Sequence, residues 1–241
     1  MSEPSNPMRK RKTFLQQAGL GLASALATTA MSTSDASAAG GTAPAPAATN
    51  PDQALSLLKE GNERFVSGNS TCGPLTARRM ELTQGQSPFA IVLGCSDSRV
   101  PIETVFDQVP GNIFVVRLAG NFADDNGLGS MEYGVAVLGA SLILVLGHTS
   151  CGAVDATVKY VKDGTAAPGH IQGIVKALVP AAEDAKGKPG DWVDNAIAAN
   201  VRANVAAIPQ RSTILSDAVG SGKIRIVGGV YELHSGKVRW I

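Results

Sequence analysis

Two short segments carry side chains that can hold a metal ion, His148-Thr149-Ser150-Cys151 and Cys95-Ser96-Asp97-Ser98-Arg99. In the first, imidazole and thiol stand three positions apart. On a tight turn entering a helix, residues at i and i+3 share a face, so both can reach one cation. Alone, the pair is equally compatible with a core cysteine beside a helix-capping histidine. The second segment adds a soft ligand, Cys95, with a carboxylate and a guanidinium two positions apart. A Cys2His set is a three-ligand site in which zinc keeps a fourth position for water, and that opening separates a catalytic from a structural site. The planar Arg99 fork can hold Asp97 ionised and aimed.

The two segments lie 53 positions apart, from Cys95 to His148, so the fold must bring them together. Four continuous apolar runs read as buried parallel strands: 90–93, 113–116, 142–146 and 224–227. Cys95 and His148 each follow one of these runs after a single glycine. Helices are expected over 129–138 and 192–208, and an amphipathic helix from Asp52 carries Leu55, Leu58 and Phe65. Segments 229–233 and 237–241 flank His234-Ser235-Gly236 as a hairpin. The pattern predicts an α/β fold: an open, mainly parallel sheet of four strands with a C-terminal antiparallel addition, covered by helices. Such sheets bind ligands beyond the carboxyl ends of their strands, at the point where strand order reverses. If the first and third strands are neighbours there, Cys95 and His148 converge.

The chain of 241 residues, 44% hydrophobic and 5% aromatic with 27 glycines, suits one domain of α/β layers preceded by a leader. Residues 1–38 read as an export signal. A basic run, Arg9 to Lys12, precedes an apolar Gly/Ala-rich stretch from Ala18 to Met31 and an A-x-A cleavage site at Ala36-Ser37-Ala38. The apolar stretch is short for a bilayer span of ~20 residues, so no stable membrane anchor is expected after processing. Arg11-Lys12-Thr13-Phe14-Leu15 resembles a twin-arginine signal with lysine at the second position, and a general secretory leader is the alternative route. Either implies a periplasmic or secreted protein. Residues 39–50 read as a flexible linker, and 51–241 as a single catalytic domain. Removing 1–38 takes away four basic and two acidic side chains and leaves a formal charge of −1 in place of +1. Such a chain offers no basic footprint for nucleic acid and no polybasic membrane patch.

Cys95-x-Asp97-x-Arg99 with His148-x-x-Cys151 resembles the paired signatures of the β-class carbonic anhydrases, in their plant-like subgroup. The likeness extends through Gln86-Ser87-Pro88, Phe114-Val115-Val116-Arg117, Gly120-Asn121, Glu132-Tyr133 and Gly147-His148. The resemblance implies one Zn2+ per chain on Cys95, His148 and Cys151, and reversible hydration of carbon dioxide to bicarbonate and a proton. Zinc-bound hydroxide attacks carbon dioxide, with Asp97 orienting it and Arg99 holding Asp97. In the family's closed form the Asp binds zinc directly. The resemblance further implies that Gln86 donates to bicarbonate and that Phe114, Ala119 and Tyr133 line an apolar substrate pocket, Ala119 being smaller than the valine common there. Val92 stands where the bicarbonate-regulated subgroup carries Trp, which favours an open site. The family forms dimers through exchanged N-terminal helices and joined edges, with the active site at the interface, so a homodimer or homotetramer is expected.

Alternatives stay open at this point. Cys72 could complete a closed Cys3His site, and Cys95 and Cys151 could pair as a disulfide in an oxidising compartment. The same fold serves hydrolases of carbon disulfide or carbonyl sulfide, and a non-catalytic zinc- or anion-binding protein would need neither Asp97 nor Arg99.

Overall fold

The computed structural model describes residues 48, 50–73 and 75–241, so the expected leader and nearly all of the expected linker lie outside the described residues. The helices are α1 Pro51–Val66, α2 Thr76–Glu81, α3 Ile102–Val105, α4 Asp125–Ala136, α5 Gly152–Asp163, α6 Ile171–Ala185, α7 Trp192–Arg211 and α8 Thr213–Gly220. The strands are β1 Ala90–Gly94, β2 Ile113–Arg117, β3 Leu142–His148, β4 Arg225–Tyr231 and β5 Val238–Trp240. All of them belong to one compact unit. The sheet order is β2-β1-β3-β4-β5. The first four strands run parallel and β5 pairs antiparallel with β4, as the apolar runs predict.

β1 and β3 are buried at every position, because apolar layers cover both faces of the sheet. On one face Ile91, Leu93, Ile143 and Val145 pack with Met131, Val154, Leu178, Ile197 and Val201 from the helices. On the other, Val92, Leu142 and Leu144 pack with Ala54, Leu58, Ile102 and Phe106. β1 lies between β2 and β3, so strand order reverses between β1 and β3, the place where a ligand site is expected.

The sequence reading separates 224–227 from 229–233, whereas the structure has one strand through both. Gly228 and Gly229 are not a break. A Cβ at Gly228 would lie 2.7 Å from Val201 Cγ1 of α7, and one at Gly229 would lie 2.9 Å from Val238 Cγ1 of β5. The glycines let helix and edge strand close onto the sheet. The hairpin is present, with the parallel strand itself as its first arm.

α1 begins on an Asn50 cap whose side chain accepts from Gln53 N, and it is pinned to its own chain. The buried Asn62 donates Nδ2 to Val105 O and Gly236 O, and its Oδ1 accepts from Val238 N. A Cβ at Gly61 would stand 1.8 Å from Phe106 O, so helix and loop backbones are in direct contact.

Asp107 fastens the strap that follows α1. Its side chain is fully buried and accepts from Arg64 Nε at 2.6 Å and from Thr71 N and Oγ1 at 2.9 Å. Burial disfavours the charge, but the Arg64 and Thr71 bonds outweigh it and draw the carboxyl down to about 2. A depressed carboxyl stabilises the fold above its unfolded value of ~3.9 and loses that contribution as pH falls through the folded value, a contribution of about 2 kcal/mol here. Urea denaturation from pH 5 to pH 2 should show wild type losing that increment and Asp107→Asn losing far less of it. Equal losses would remove Asp107 as the cause.

Candidate metal centre

Three residues converge beyond the carboxyl ends of β1 and β3. Cys95 follows Gly94 at the end of β1, and His148 is the last residue of β3. Thr149 and Ser150 then turn the chain, Ser150 taking a left-handed φ of 56° that non-glycine residues rarely adopt. That turn places Cys151 as N-cap of α5, where first-turn amides of Ala153 and Val154 face its sulfur. The ligand atoms of Cys95, His148 and Cys151 all lie within 4.8 Å of one another, and all three residues are buried.

The donor set fits zinc. His148 Nδ1 lies 2.9 Å from Thr149 O, and a carbonyl only accepts, so Nδ1 carries the proton and Nε2 offers a lone pair. Nε2 is also one of two buried side-chain polar atoms without a hydrogen-bond partner among the described residues, the other being Asn121 Nδ2. An orphaned imidazole nitrogen facing two thiols is an uncompensated cost unless a cation fills the gap. The sulfurs are primed for one. Cys95 is drawn well below the usual thiol range by the hydrogen bond from Cys151, helped by His148 and the Gly120 N–H against the opposing effect of burial. Cys151, which shares that proton and is buried, is pushed up. A divalent ion would take the place of the shared proton. His148 is raised despite burial, because the neighbouring Cys95 sulfur favours the protonated ring.

Asp97 stands beside this set. Arg99 grips it with two parallel bonds, Nε to Oδ1 at 2.9 Å and the second terminal nitrogen to Oδ2 at 2.7 Å, and the Arg99 backbone N–H adds a third bond at 2.9 Å. These bonds hold the carboxyl well below the usual range. Oδ2 lies 3.8 Å from His148 Nε2, close enough to accept a hydrogen bond from a group that a metal held there would carry, while remaining committed to Arg99. Arg99 also donates to Ser150 O at 3.2 Å, tying the first segment to the second.

The sequence reading missed Arg117 as a positioning group. Its Nε donates to Cys95 O at 2.8 Å and its terminal nitrogen to Asp97 O at 2.6 Å, so this end residue of β2 clamps both carbonyls of the ligand loop. A cation at the carboxyl end of a strand adjacent to the ligand strand was the available signal. Gly120, with φ 83°, brings its N–H to within 3.3 Å of Cys95 Sγ.

The substrate residues expected from the sequence divide into two groups. Ala119 is half-buried, immediately before the Gly120 amide that touches Cys95. Phe114 pairs in register with Ile91, four residues before Cys95 and so ~13 Å down the strand at ~3.3 Å per residue. Its ring lies 6.2 Å from that of Tyr133, which is 40% exposed. Gln86 is exposed and shares a groove of about 430 Å³ with Leu82 and Gly111 before the amino ends of β1 and β2, the end of the sheet opposite the metal ligands. One chain does not bring Gln86 to its own metal centre. Cys72 is exposed, with its backbone N–H and its thiol on Asp107, so it takes no place in the ligand set. All three cysteines are free, Cys95 and Cys151 included.

Comparison with known proteins agrees with this geometry. Residues 90–238 match the family described as carbonic anhydrase. The chain is 42% identical over 190 residues to carbonic anhydrase 2 of Mycobacterium tuberculosis, covering 78% of this chain and 92% of that one. It is 43% identical over 195 residues to a carbonic anhydrase of Mycolicibacterium smegmatis, covering 79% and 93%. Among solved structures, the Coccomyxa β-carbonic anhydrase in complex with acetazolamide superposes with a TM-score of 0.60 at 27% identity, over 78% of this chain and 86% of that one. Fold, ligand set and sequence converge on one assignment: the chain belongs to the β-carbonic anhydrase family.

Proposed function

We propose that the protein is a zinc-dependent carbonic anhydrase that interconverts carbon dioxide and bicarbonate. The observation that carries the reading is the orphaned Nε2 of His148 facing two thiols, with a bidentately held carboxylate 3.8 Å away. Cys95, His148 and Cys151 would hold one Zn2+ per chain, and the ion supplies Lewis acidity that brings a water's pKa to ~7. The chain's own residues do the rest. Asp97, kept ionised by Arg99, only accepts hydrogen bonds at neutral pH, so its Oδ2 takes the hydrogen of the attacking water oxygen and turns a lone pair toward the substrate carbon. In hydration that oxygen bonds to carbon, the electron pair of one C=O bond moves to its oxygen, and one proton leaves to buffer. Arg117 fixes the carbonyls flanking Cys95 and Asp97, which keeps ligand and acceptor in one geometry as charge develops. Asp97 on Arg99 rather than among the ligands favours the open form of such a site. Steady-state assays on carbon dioxide, carbonyl sulfide and carbon disulfide with one zinc-replete sample test the substrate. Turnover of the sulfur compounds alone would transfer the reaction to them.

The site is completed by a second copy. Among the described residues β2 leaves one edge unpaired, the Phe114 ring on it lies 6.2 Å from that of Tyr133 of α4, and Val137 at the C-terminus of α4 is 59% exposed. Gln86, remote from its own chain's ligands, can donate to bicarbonate only at a metal centre belonging to another chain. Sedimentation velocity should therefore give a dimer or tetramer. Val137→Glu should shift it toward monomer and cut hydration about tenfold or more, on the scale of a lost positioning contact. A fully active monomer would end the role for Gln86. The basic run, apolar stretch and A-x-A site support an exported, periplasmic or secreted enzyme without a retained anchor. Among the described residues no helix is long and apolar enough to cross a membrane.

A further inference from the structure

The loop after β2 carries the Gly120 amide that donates to Cys95 Sγ, and this loop is held from outside. Gly120 and Asn121 take successive left-handed conformations, φ 83° and 41°, and Asn121 N closes a turn onto Leu118 O. The turn is wedged against α6 and α5, since a Cβ at Gly120 would meet Leu178 Cδ1 at 2.7 Å and Ala153 Cβ at 3.3 Å. The polar hold comes from α7. Asn200, 3% exposed, donates Nδ2 to Gly120 O at 2.8 Å. One turn on, Asn204 donates Nδ2 to both Asn200 O and Asn200 Oδ1 at 2.9 Å, and its own Oδ1 accepts from Ala123 N at 2.8 Å. With its oxygen occupied by Asn204, the Asn200 amide must present its NH2 to the loop, so the orientation of each amide is fixed by the other. The surrounding positions Ala196, Ile197, Ala199 and Val201 are buried and apolar, a setting in which a buried amide carries a desolvation cost that an alanine would avoid.

We propose that Asn200, oriented by Asn204, is a positioning residue for the Cys95 sulfur, acting through the Gly120 peptide. The proposal rests on the reading of Cys95, His148 and Cys151 as the zinc ligands. Its chemistry is that of an N–H aimed at a thiolate: the donor fixes the sulfur and withdraws charge from it. Partners behind a metal ligand set its orientation and electron donation, and their loss costs about 10–100-fold in metal affinity or activity.

The test uses the cobalt(II)-substituted and zinc-loaded full-length protein. The variants are Asn200→Ala, Asn204→Ala and, as a trim of a fully buried residue about two turns on along the same helix, Ile208→Val. Asn200→Ala should move the sulfur-to-cobalt charge-transfer band to longer wavelength and give up zinc to a chelator about 10–100-fold more readily. Asn204→Ala should do the same to a smaller degree, and Ile208→Val should do neither. The proposal is overturned if Asn200→Ala leaves band and chelator competition at wild-type values, or if Ile208→Val changes them equally. Should Asn200→Ala fail to fold, Asn204→Ala, a half-buried position, decides the matter, and an unchanged band in it is a refutation. Absence of thiolate-to-cobalt bands in wild type would instead remove the zinc reading, and this proposal with it.

Discussion

His148→Ala should release the metal and lower carbon dioxide hydration by more than about 1,000-fold, because the ion supplies the nucleophile at neutral pH. The size follows from the geometry. His148 Nε2 is the sole nitrogen in a buried three-atom set and makes no other bond in the described structure. Without it Cys95 and Cys151 are two thiols sharing a proton, too few ligands to hold zinc against solvent. Metal analysis and hydration kinetics on one preparation check this. The fold should survive the change, since the one hydrogen bond lost, Nδ1 to Thr149 O, is to the adjacent residue and β3 is secured by its ladders to β1 and β4. A folded His148→Ala protein that keeps full zinc and activity would refute the assigned ligand set.

Asp97→Ala should separate metal binding from catalysis. The variant should retain zinc, because the three ligand residues are held by β1, β3, the N-terminus of α5 and the Arg117 clamp, and none of these depends on the Asp97 side chain. Hydration should fall by about 100- to 10,000-fold, the range for a positioned proton-handling group. Arg99→Met should fall in the same direction by less, since it leaves the carboxylate present but unaimed. The two measurements discriminate sharply between enzyme and zinc-binding protein. If Asp97→Ala hydrates as fast as wild type, the carboxylate is a structural partner of Arg99 and the mechanism loses its orienting group.

Much of this centre was legible in the sequence because its logic is local. Continuous apolar runs at 90–93 and 142–146 read as buried strands, and the candidate ligands Cys95 and His148 stand one glycine beyond each. Burial on both sheet faces and the reversal of strand order between β1 and β3 then bring Cys95 and His148 together. What was not legible depends on approach between distant segments. The Gly228-Gly229 pair looks like a strand break until Val201 and Val238 are seen pressing against it. Asn200 and Asn204 look like ordinary polar positions on an Ala-rich helix, and only the packing of α7 on the 118–123 loop gives them partners. Gln86 is the instructive case. Its position nine residues before Cys95 suggests proximity, yet the extended β1 carries it to the far end of the sheet, and a site role for it requires another chain.

The decisive measurement is stopped-flow carbon dioxide hydration by the purified protein with zinc determined on the same sample. The account predicts about one zinc per chain, the stoichiometry of a single Cys2His site, and hydration that disappears on chelation and returns with zinc. Zinc-replete, folded protein that leaves the uncatalysed rate unchanged would contradict it.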